Sequence, residues 1–106
     1  MNPYRGEVTL VLNGEALVMR LTLGALVELE NTLEIGSLLA LVERFEQGSF
    51  SASDLVALLL AGLRGGGADI DRAALNAAEI KGGAVAAAQA GALLLKRAFT
   101  LPDAEI

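Results

Sequence analysis

The sequence predicts an α+β domain in which an N-terminal β-hairpin packs on a bundle of four to five short helices. Two alternating apolar runs meet at Asn13-Gly14, the strongest short-range signal for a two-residue hairpin turn of type I′. From Thr22 onward the apolar residues recur at helical spacing instead of alternating. The 106 residues are 54% hydrophobic, enough for one small core, so residues 1–106 are interpreted as a single domain.

The Asn13-Gly14 loop also predicts the register of the two strands. With this loop Leu12 lies opposite Glu15, and further along the ribbon Glu7 lies opposite Arg20, which carries the opposite charge. Side-chain chemistry and turn geometry therefore predict the same register. An isolated two-stranded ribbon is barely stable in water, so one of its faces must pack on helices. The residues predicted for that inward face are Val8, Leu10, Leu17 and Met19.

The opposite face of the ribbon is more apolar than a solvated surface requires. It carries Val11, Ala16 and Val18, with Thr9 opposite Val18. A two-stranded ribbon also has two edges whose backbone groups are expected to be unpaired. Both features predict that the ribbon can associate with another chain, including a second copy of this one.

Helix one is predicted from Leu23 to Leu33, with Thr22 as its N-cap and Gly36 as its end. Glu30 falls within the apolar stripe of this helix. We interpret Glu30 as a rim residue that extends its carboxylate to water, because an unpaired buried charge is costly. The alternative is a carboxylate that meets a cation of a partner protein. The predicted inner stripe consists of Leu23, Leu26, Val27, Leu29 and Leu33.

Helix two is predicted to begin at Ser37, and helix three has the clearest start in the chain. Ser51 with Asp54 three residues later forms a capping box. The body of helix three is apolar nearly all round, which places it at the centre of the core or at a contact with another chain. Gly65-Gly66-Gly67 is interpreted as a helix end followed by a flexible joint. The predicted inner stripe of helix two consists of Leu38, Leu41, Val42 and Phe45.

Helices four and five are the last predicted elements. Helix four begins at Asp71 and fades near Ile80, and helix five follows Gly82-Gly83 and ends before Leu101-Pro102. The small residues Ala86, Ala87, Ala90 and Gly91 would let a neighbouring backbone come close. The predicted inner stripe of helix five consists of Val85, Ala88, Ala92, Leu95 and Phe99.

The composition argues against several classes of function. The net charge of −5 disfavours nucleic-acid binding, which needs a basic surface. The chain has no histidine and no cysteine, which excludes a Ser–His catalytic pair, a cysteine nucleophile and a thiolate metal site. The longest uncharged stretch, Gly82 to Leu95, is too short and too rich in small residues for a membrane span. We therefore expect a soluble, cytoplasmic protein that is not an enzyme.

Two short motifs could suggest ligands but have simpler interpretations. Asp69-Ile70-Asp71 lacks the further oxygen ligands of a calcium loop, and Asp71 already has a capping role. Gly65-Gly66-Gly67 follows a helix rather than a strand, and no Gly-Lys-Ser/Thr comes after it, so it does not fit a phosphate-binding loop. We predict neither a metal site nor a cofactor.

Four segments of the chain carry a family resemblance: Arg5-Gly6-Glu7, the hairpin at Asn13-Gly14, Leu21-Thr22-Leu23-Gly24-Ala25-Leu26 with Glu28-Leu29-Glu30, and Ala61-Gly62-Leu63-Arg64-Gly65-Gly66-Gly67. With these segments the chain resembles the small tail protein of alphaproteobacterial gene transfer agents from about Arg5 to Phe99. That family is similar to the phage tail assembly chaperones and has also been labelled a tail tube protein. The resemblance implies no catalytic residues and a role in building a phage-like tail.

Two functions follow from this resemblance. In the first, the protein is an assembly chaperone that binds the tape-measure protein and keeps it soluble while tube subunits polymerise. In the second, it is a structural subunit of the tail tube and ends up in the virion. Tube subunits of phage type are usually dominated by β-sheet, so the predicted fold favours the chaperone. The residues predicted to bind the partner are Val11, Ala16, Val18 and Glu30.

Overall fold

A two-stranded antiparallel hairpin is followed by five helices in the computed structural model, which describes residues 6–33 and 37–99. This is the predicted α+β fold. The predicted end of helix one at Gly36 and the break at Leu101-Pro102 lie outside the described residues. The elements are β1 (Val8–Leu12), β2 (Glu15–Met19), α1 (Leu23–Thr32), α2 (Leu38–Gln47), α3 (Ala52–Gly65), α4 (Arg72–Ala77) and α5 (Gly83–Ala98).

The hairpin has the predicted turn and register. Asn13 and Gly14 both adopt positive φ, at 52° and 82°, as a type I′ turn requires. Leu12 pairs with Glu15, and the pairing continues without a slip to the far end of the strands. Arg20 Nη2 donates a hydrogen bond to Glu7 Oε2 at 2.8 Å, so the predicted pair of opposite charges is formed. The buried residues of the inward face are Val8, Leu10, Leu12 and Met19.

Replacing Gly14 with valine is expected to destabilise the protein by about 1–3 kcal/mol, the usual scale of backbone strain. A Cβ atom at this position would meet no other atom within 4 Å, so the loss would come from the positive φ alone. Asparagine tolerates positive φ, and Gly14→Asn should therefore lose much less stability. Urea denaturation of both variants makes the comparison. Equal midpoints for Gly14→Val and the wild type would contradict the assigned turn.

Helix α3 forms the centre of the core. It packs against α1, α4, α5 and β2, and its residues from Ala57 to Leu63 are all buried. Its predicted capping box is present, because Ser51 Oγ accepts from the Asp54 N–H while the Asp54 carboxylate accepts from the Ser51 N–H, each at 3.0 Å. Two positions were predicted for this helix, and the structure places it at the centre of the core of a single chain.

Helix α1 begins at its predicted cap and buries Leu29 of the predicted stripe, but two other residues of that stripe are exposed. Thr22 Oγ1 accepts a hydrogen bond from the Ala25 N–H, as an N-cap does. Ala25 and Leu29 are buried, whereas Leu23 and Val27 are 81% and 59% exposed. The prediction for Leu23 and Val27 was wrong because the helix turns Ala25 toward the end of α3 instead. An ideal Cβ atom on Gly65 would lie only 3.1 Å from Ala25 Cβ.

Helix α5 buries Leu95 as predicted, but the rest of its buried face differs from the predicted stripe. Ala87, Gly91, Leu94 and Leu95 are buried, while the predicted inner residues Val85, Ala92 and Phe99 are exposed. A Cβ atom on Gly91 would lie 3.0 Å from Leu55 Cδ1 and 3.1 Å from Leu58 Cδ2, so α5 approaches α3 through this glycine. The predicted close approach at the small residues is present. The prediction for Val85, Ala92 and Phe99 was wrong because α5 approaches α3 through its small residue Gly91.

The outer edge of β1 is paired with the segment after α4, contrary to the prediction of two open edges. The Asn13 N–H donates to the Glu79 carbonyl at 2.7 Å, and the Lys81 N–H donates to the Val11 carbonyl at 3.1 Å. Between these bonds Ile80 forms an antiparallel bridge with Leu12. The predicted extension of helix four to Ile80 was therefore wrong: α4 ends at Ala77, and the following residues act as a short third backbone alongside the ribbon.

The far end of β2 is covered by the last turn of α3. The Arg20 N–H donates to the Gly62 carbonyl at 2.9 Å. A Cβ atom on Gly65 would lie 2.0 Å from the Arg20 carbonyl oxygen, and one on Gly66 would lie 1.8 Å from the Val18 carbonyl oxygen. Gly65 and Gly66 are therefore a tight helix–strand contact, and their interpretation as a flexible joint was wrong. Glycine is required there because the two backbones touch.

Within the described residues, no helix combines the length and apolar character needed to cross a membrane.

Candidate functional site

Three of the four predicted partner-binding residues lie together on the outward face of the ribbon. Val11 pairs directly with Ala16, and Val18 lies two residues further along β2 on the same face. Ala16 is exposed, Val18 is 40% exposed, and Val11 is half-buried. The predicted apolar outward face therefore exists, and it is small.

The hairpin is held at a fixed position relative to the helices by its charged end. Besides the pair between Glu7 and Arg20, the Arg97 guanidinium at the end of α5 donates to the Glu7 backbone carbonyl at 2.6 Å. The inward face of β1 also packs against α5. The outward face consequently has a defined orientation without any partner present.

Glu30, the fourth predicted residue, lies on α1 and is exposed. Leu23, Val27 and Glu30 are four and three residues apart, so they follow one face of the helix over about 10 Å. We call these three residues the α1 stripe. Exposure agrees with the interpretation of Glu30 as a residue that extends its carboxylate to water. The apolar side chains beside Glu30 are exposed as well, which the sequence did not predict.

The four predicted residues lie on two elements, α1 and the ribbon, that are not each other's principal packing partners. The principal packing partners of α1 are α3 and α2, whereas the ribbon packs on α3 and α5. Val11, Ala16 and Val18 therefore form one surface, and Glu30 belongs to the α1 stripe. The signal that could have identified the stripe is the spacing of Leu23, Val27 and Glu30. That spacing more often indicates the buried face of a helix.

Sequence reasoning missed a groove between α2 and α5 of about 490 Å³. Phe45 and Phe99 had been predicted to point inward on their own helices, and the structure places both in this groove. Only the packing of α2 beside α5 creates it, so no sequence-local pattern could have identified it. The lining residues are Val42, Phe45 and Glu46 of α2 and Ala92, Leu95, Lys96 and Phe99 of α5.

A second, smaller hollow of about 200 Å³ contains a charged pair that joins α2 to α3. Arg44 Nε and Nη2 donate to the two carboxylate oxygens of Asp54 at 2.8 and 3.1 Å. Burial opposes ionisation of Asp54, but the hydrogen bonds and charge of Arg44 together with the bonds from Ser51 outweigh it and lower the pKa of the Asp54 carboxyl. The pair and the capping box thus share one carboxylate. Its role is structural.

Asp54→Asn is expected to remove part of the acid sensitivity of the fold. Because folding lowers the pKa of Asp54, its contribution to stability is present above the unfolded pKa of about 3.9 and is lost as the pH falls through the folded value. Wild-type stability should therefore decline at acid pH, and the variant should be less stable at pH 7 and decline less steeply. Urea midpoints between pH 7 and pH 2 measure both slopes.

Asp69→Asn is the matched control, because Asp69 is exposed and forms no ion pair with any described residue. It should leave the slope unchanged. Parallel slopes for Asp54→Asn and the wild type would contradict the assigned role of the Arg44–Asp54 pair.

The described residues contain no group of three or more histidine, cysteine, aspartate or glutamate side chains that could hold a metal ion. At Asp69-Ile70-Asp71 the Asp71 carboxylate accepts from the Ala74 N–H at 2.8 Å. Asp71 is the N-cap of α4, as predicted.

Comparison with known proteins identifies one family. The model of the family described as phage tail tube protein, GTA-gp10, matches residues 5–100, which is nearly the whole chain. A search of curated proteins and a search of solved structures each gave no significant match.

Proposed function

The chain belongs to the family described as phage tail tube protein, GTA-gp10, and we propose that it acts as a tail assembly chaperone that binds the tape-measure protein. As a member of this family it is a tail protein of a phage or gene transfer agent. The chaperone role is the narrower proposal. It is noncatalytic, and it places the protein in the cytoplasm of the producing cell, where tails assemble.

The observation that carries the proposal is the exposed apolar surface of α1. Leu23 and Val27 are 81% and 59% exposed and lie about one turn apart on the same face of α1. Helical partners dock through apolar residues spaced three and four apart, and the α1 stripe has this spacing. A surface of this kind suits the shielding of a long helical protein from aggregation.

The sheet of this protein supports the same choice. Each strand has five residues, and the chain's own backbone pairs with the outer edge of β1 and covers the far end of β2. A tube built by β-sheet association between subunits would need longer strands with open edges. The described residues offer little of either.

The proposed partner surface consists of the outward ribbon face at Val11, Ala16 and Val18 and the α1 stripe that ends at Glu30. A cation of the partner beside Glu30 would fix the position of a docked helix, since charge pairs contribute mainly to specificity.

Val18→Lys is expected to weaken binding of the tape-measure protein and to leave the fold intact, because an outward position gains only a solvated charge. Glu30→Lys should weaken binding further if the partner offers a cation there. Co-purification of the tape-measure protein with each variant, measured together with circular dichroism, gives the result. Val85→Lys is the matched control: Val85 is an exposed valine of α5 outside the proposed surface.

Normal co-purification with both folded variants would place the docking surface elsewhere on the chain. Equal losses for Val18→Lys and Val85→Lys would show a general effect of added charge, and would contradict the proposed surface as well.

The alternative is a structural subunit of the tail tube, the role named in the family's description. In that case the partners are other tail proteins and further copies of this chain, and the protein resides in the virion. The short sheet argues against this alternative, and the content of finished particles separates the two.

A further inference from the structure

Helix α2 is attached to the rest of the protein more weakly than α3 is. It has one buried residue, Leu41, whereas α3 buries every residue from Ala57 to Leu63. Within the described residues, no backbone hydrogen bond joins α2 to another strand or helix. The side of α2 that faces water carries Glu43, Glu46 and Gln47. Elements with few buried contacts are the ones that open while the rest of a fold stays intact.

Helix α2 also lies between two hollows. The groove of about 490 Å³ opens between α2 and α5, and the smaller hollow of about 200 Å³ is lined by residues of α1, α2 and α3. A side chain that faces a hollow has fewer neighbouring atoms than one in a closely packed core, and so it gains less dispersion energy. Movement of α2 away from the core therefore breaks fewer contacts than movement of a closely packed helix would.

A charged and an aromatic side chain hold α2 in place. Arg44 donates two hydrogen bonds to the Asp54 carboxylate of α3, at 2.8 and 3.1 Å. Phe45 reaches α5, since its Cε2 would lie 3.5 Å from a Cβ atom on Gly91. The Phe45 ring also stacks on the Phe50 ring, with 4.2 Å between centroids. Phe50 follows only five residues later in the chain, so this stack belongs to the turn after α2 and does not tie the helix to α5.

The other elements do not depend on α2 for their packing. The hairpin packs on α3 and α5, and the principal partner of α1 is α3. Helix α5 approaches α3 through Gly91, with Leu55 and Leu58 of α3 beside it. Without Arg44, the Asp54 carboxylate still accepts a hydrogen bond from the Ser51 N–H, so the cap of α3 remains. Release of α2 therefore requires no rearrangement of the ribbon or of α3 and α5.

We propose that α2 is a releasable cover: it lies over the apolar surface that α3 and α5 form around Gly91, and it detaches as a unit while the rest of the protein stays folded. In the closed protein Leu58 and Leu95 of this surface are buried. Access to them requires the opening of α2, so the cover controls when this surface is exposed. This goes beyond the proposed function, because the cover is separate from the ribbon face and the α1 stripe.

Native-state hydrogen exchange of the whole chain tests this proposal. The α2 amides should exchange through a local opening, and therefore faster than the α3 amides, which exchange on global unfolding. Gly14→Val separates the two routes, because a strained hairpin turn destabilises the closed and the released protein equally. It should speed the exchange of the α3 amides on the order of tenfold and leave that of the α2 amides nearly unchanged.

Arg44→Met tests the attachment of α2, since the bonds to Asp54 exist only while α2 is closed. It should speed the exchange of the α2 amides about tenfold, the scale of a hydrogen bond to a charged group. Arg64→Met is the matched control. Arg64 donates to the Ile70 carbonyl at 2.9 Å and pairs with Glu28, and both partners stay in place when α2 opens. The control should leave exchange of the α2 amides as in the wild type.

Equal protection of the α2 and α3 amides in the wild type would overturn the proposal, because α2 would then open only when the whole chain unfolds. Equal acceleration of both helices by Gly14→Val would overturn it for the same reason. Equal effects of Arg44→Met and Arg64→Met on the α2 amides would contradict the attachment through Asp54. The measurement uses this chain alone, so its failure is distinguishable from failure of the proposed chaperone function.

Discussion

Replacing Gly66 with alanine is expected to lower the free energy of unfolding by about 3 kcal/mol, at the upper end of the range for overpacked sites. The added Cβ atom would lie 1.8 Å from the Val18 carbonyl oxygen and 2.9 Å from its carbon, and neither backbone atom can move without shifting β2. Gly66 has φ −85° and ψ 0°, which alanine also adopts, so the loss would measure the contact alone. Thermal or urea unfolding gives the value.

Gly24→Ala is the matched control for this substitution. Gly24 lies in α1, and a Cβ atom there would come no closer than 3.9 Å to Thr22 Oγ1. Since alanine favours helix over glycine by up to about 1 kcal/mol, Gly24→Ala should be neutral or stabilising. A Gly66→Ala protein as stable as the wild type would contradict the contact between the end of α3 and β2.

Leu59→Ala is expected to destabilise the protein by about 2–5 kcal/mol, the range for large-to-small changes in a core. Leu59 is 2% exposed within a single chain, and the surrounding residues of α3 are buried too. Its loss should therefore not depend on protein concentration. Urea unfolding at two widely separated protein concentrations measures both quantities.

Leu39→Ala is the control, because Leu39 is exposed and such changes usually stay within about 0.5 kcal/mol. A loss for Leu59→Ala as small as that of Leu39→Ala would place Leu59 on the surface. A loss that grows as the protein is diluted would instead show that α3 is shared between chains.

The features predicted well from the sequence depend on neighbouring residues alone. A type I′ turn needs positive φ at two positions, and Asn13-Gly14 is among the few pairs that provide it, so the register followed. The caps at Thr22, Ser51 and Asp71 are likewise local hydrogen bonds. The outward position of Val18 followed from the alternation of the strand.

The features predicted wrongly depend on which surfaces meet. Helical spacing identifies a stripe of large apolar residues, but α1 and α5 each turn smaller residues, such as Ala25 and Gly91, toward α3 to come close to it. Close approach of α3 to β2 likewise explains why glycine occupies positions 65 and 66. From sequence alone a run of glycines predicts a flexible joint, because the strand that packs against it is not known.

The candidate site shows the same division. The ribbon face at Val11, Ala16 and Val18 was predictable, because period two places alternate residues on one side. The exposed position of Leu23 and the groove at Phe99 were not, because each depends on how a helix is rotated against α3 or α2. Surfaces formed between elements need the tertiary arrangement.

The most direct test of the chaperone proposal is quantitative mass spectrometry of purified particles from cells that produce this protein. An assembly chaperone acts before the tail is complete and is not built into it. We therefore expect the protein to be abundant in the producing cells and absent from finished tails, or present far below the amount of the tube subunit. A stoichiometric amount in purified tails would contradict the proposal and identify the protein as a structural subunit of the tube.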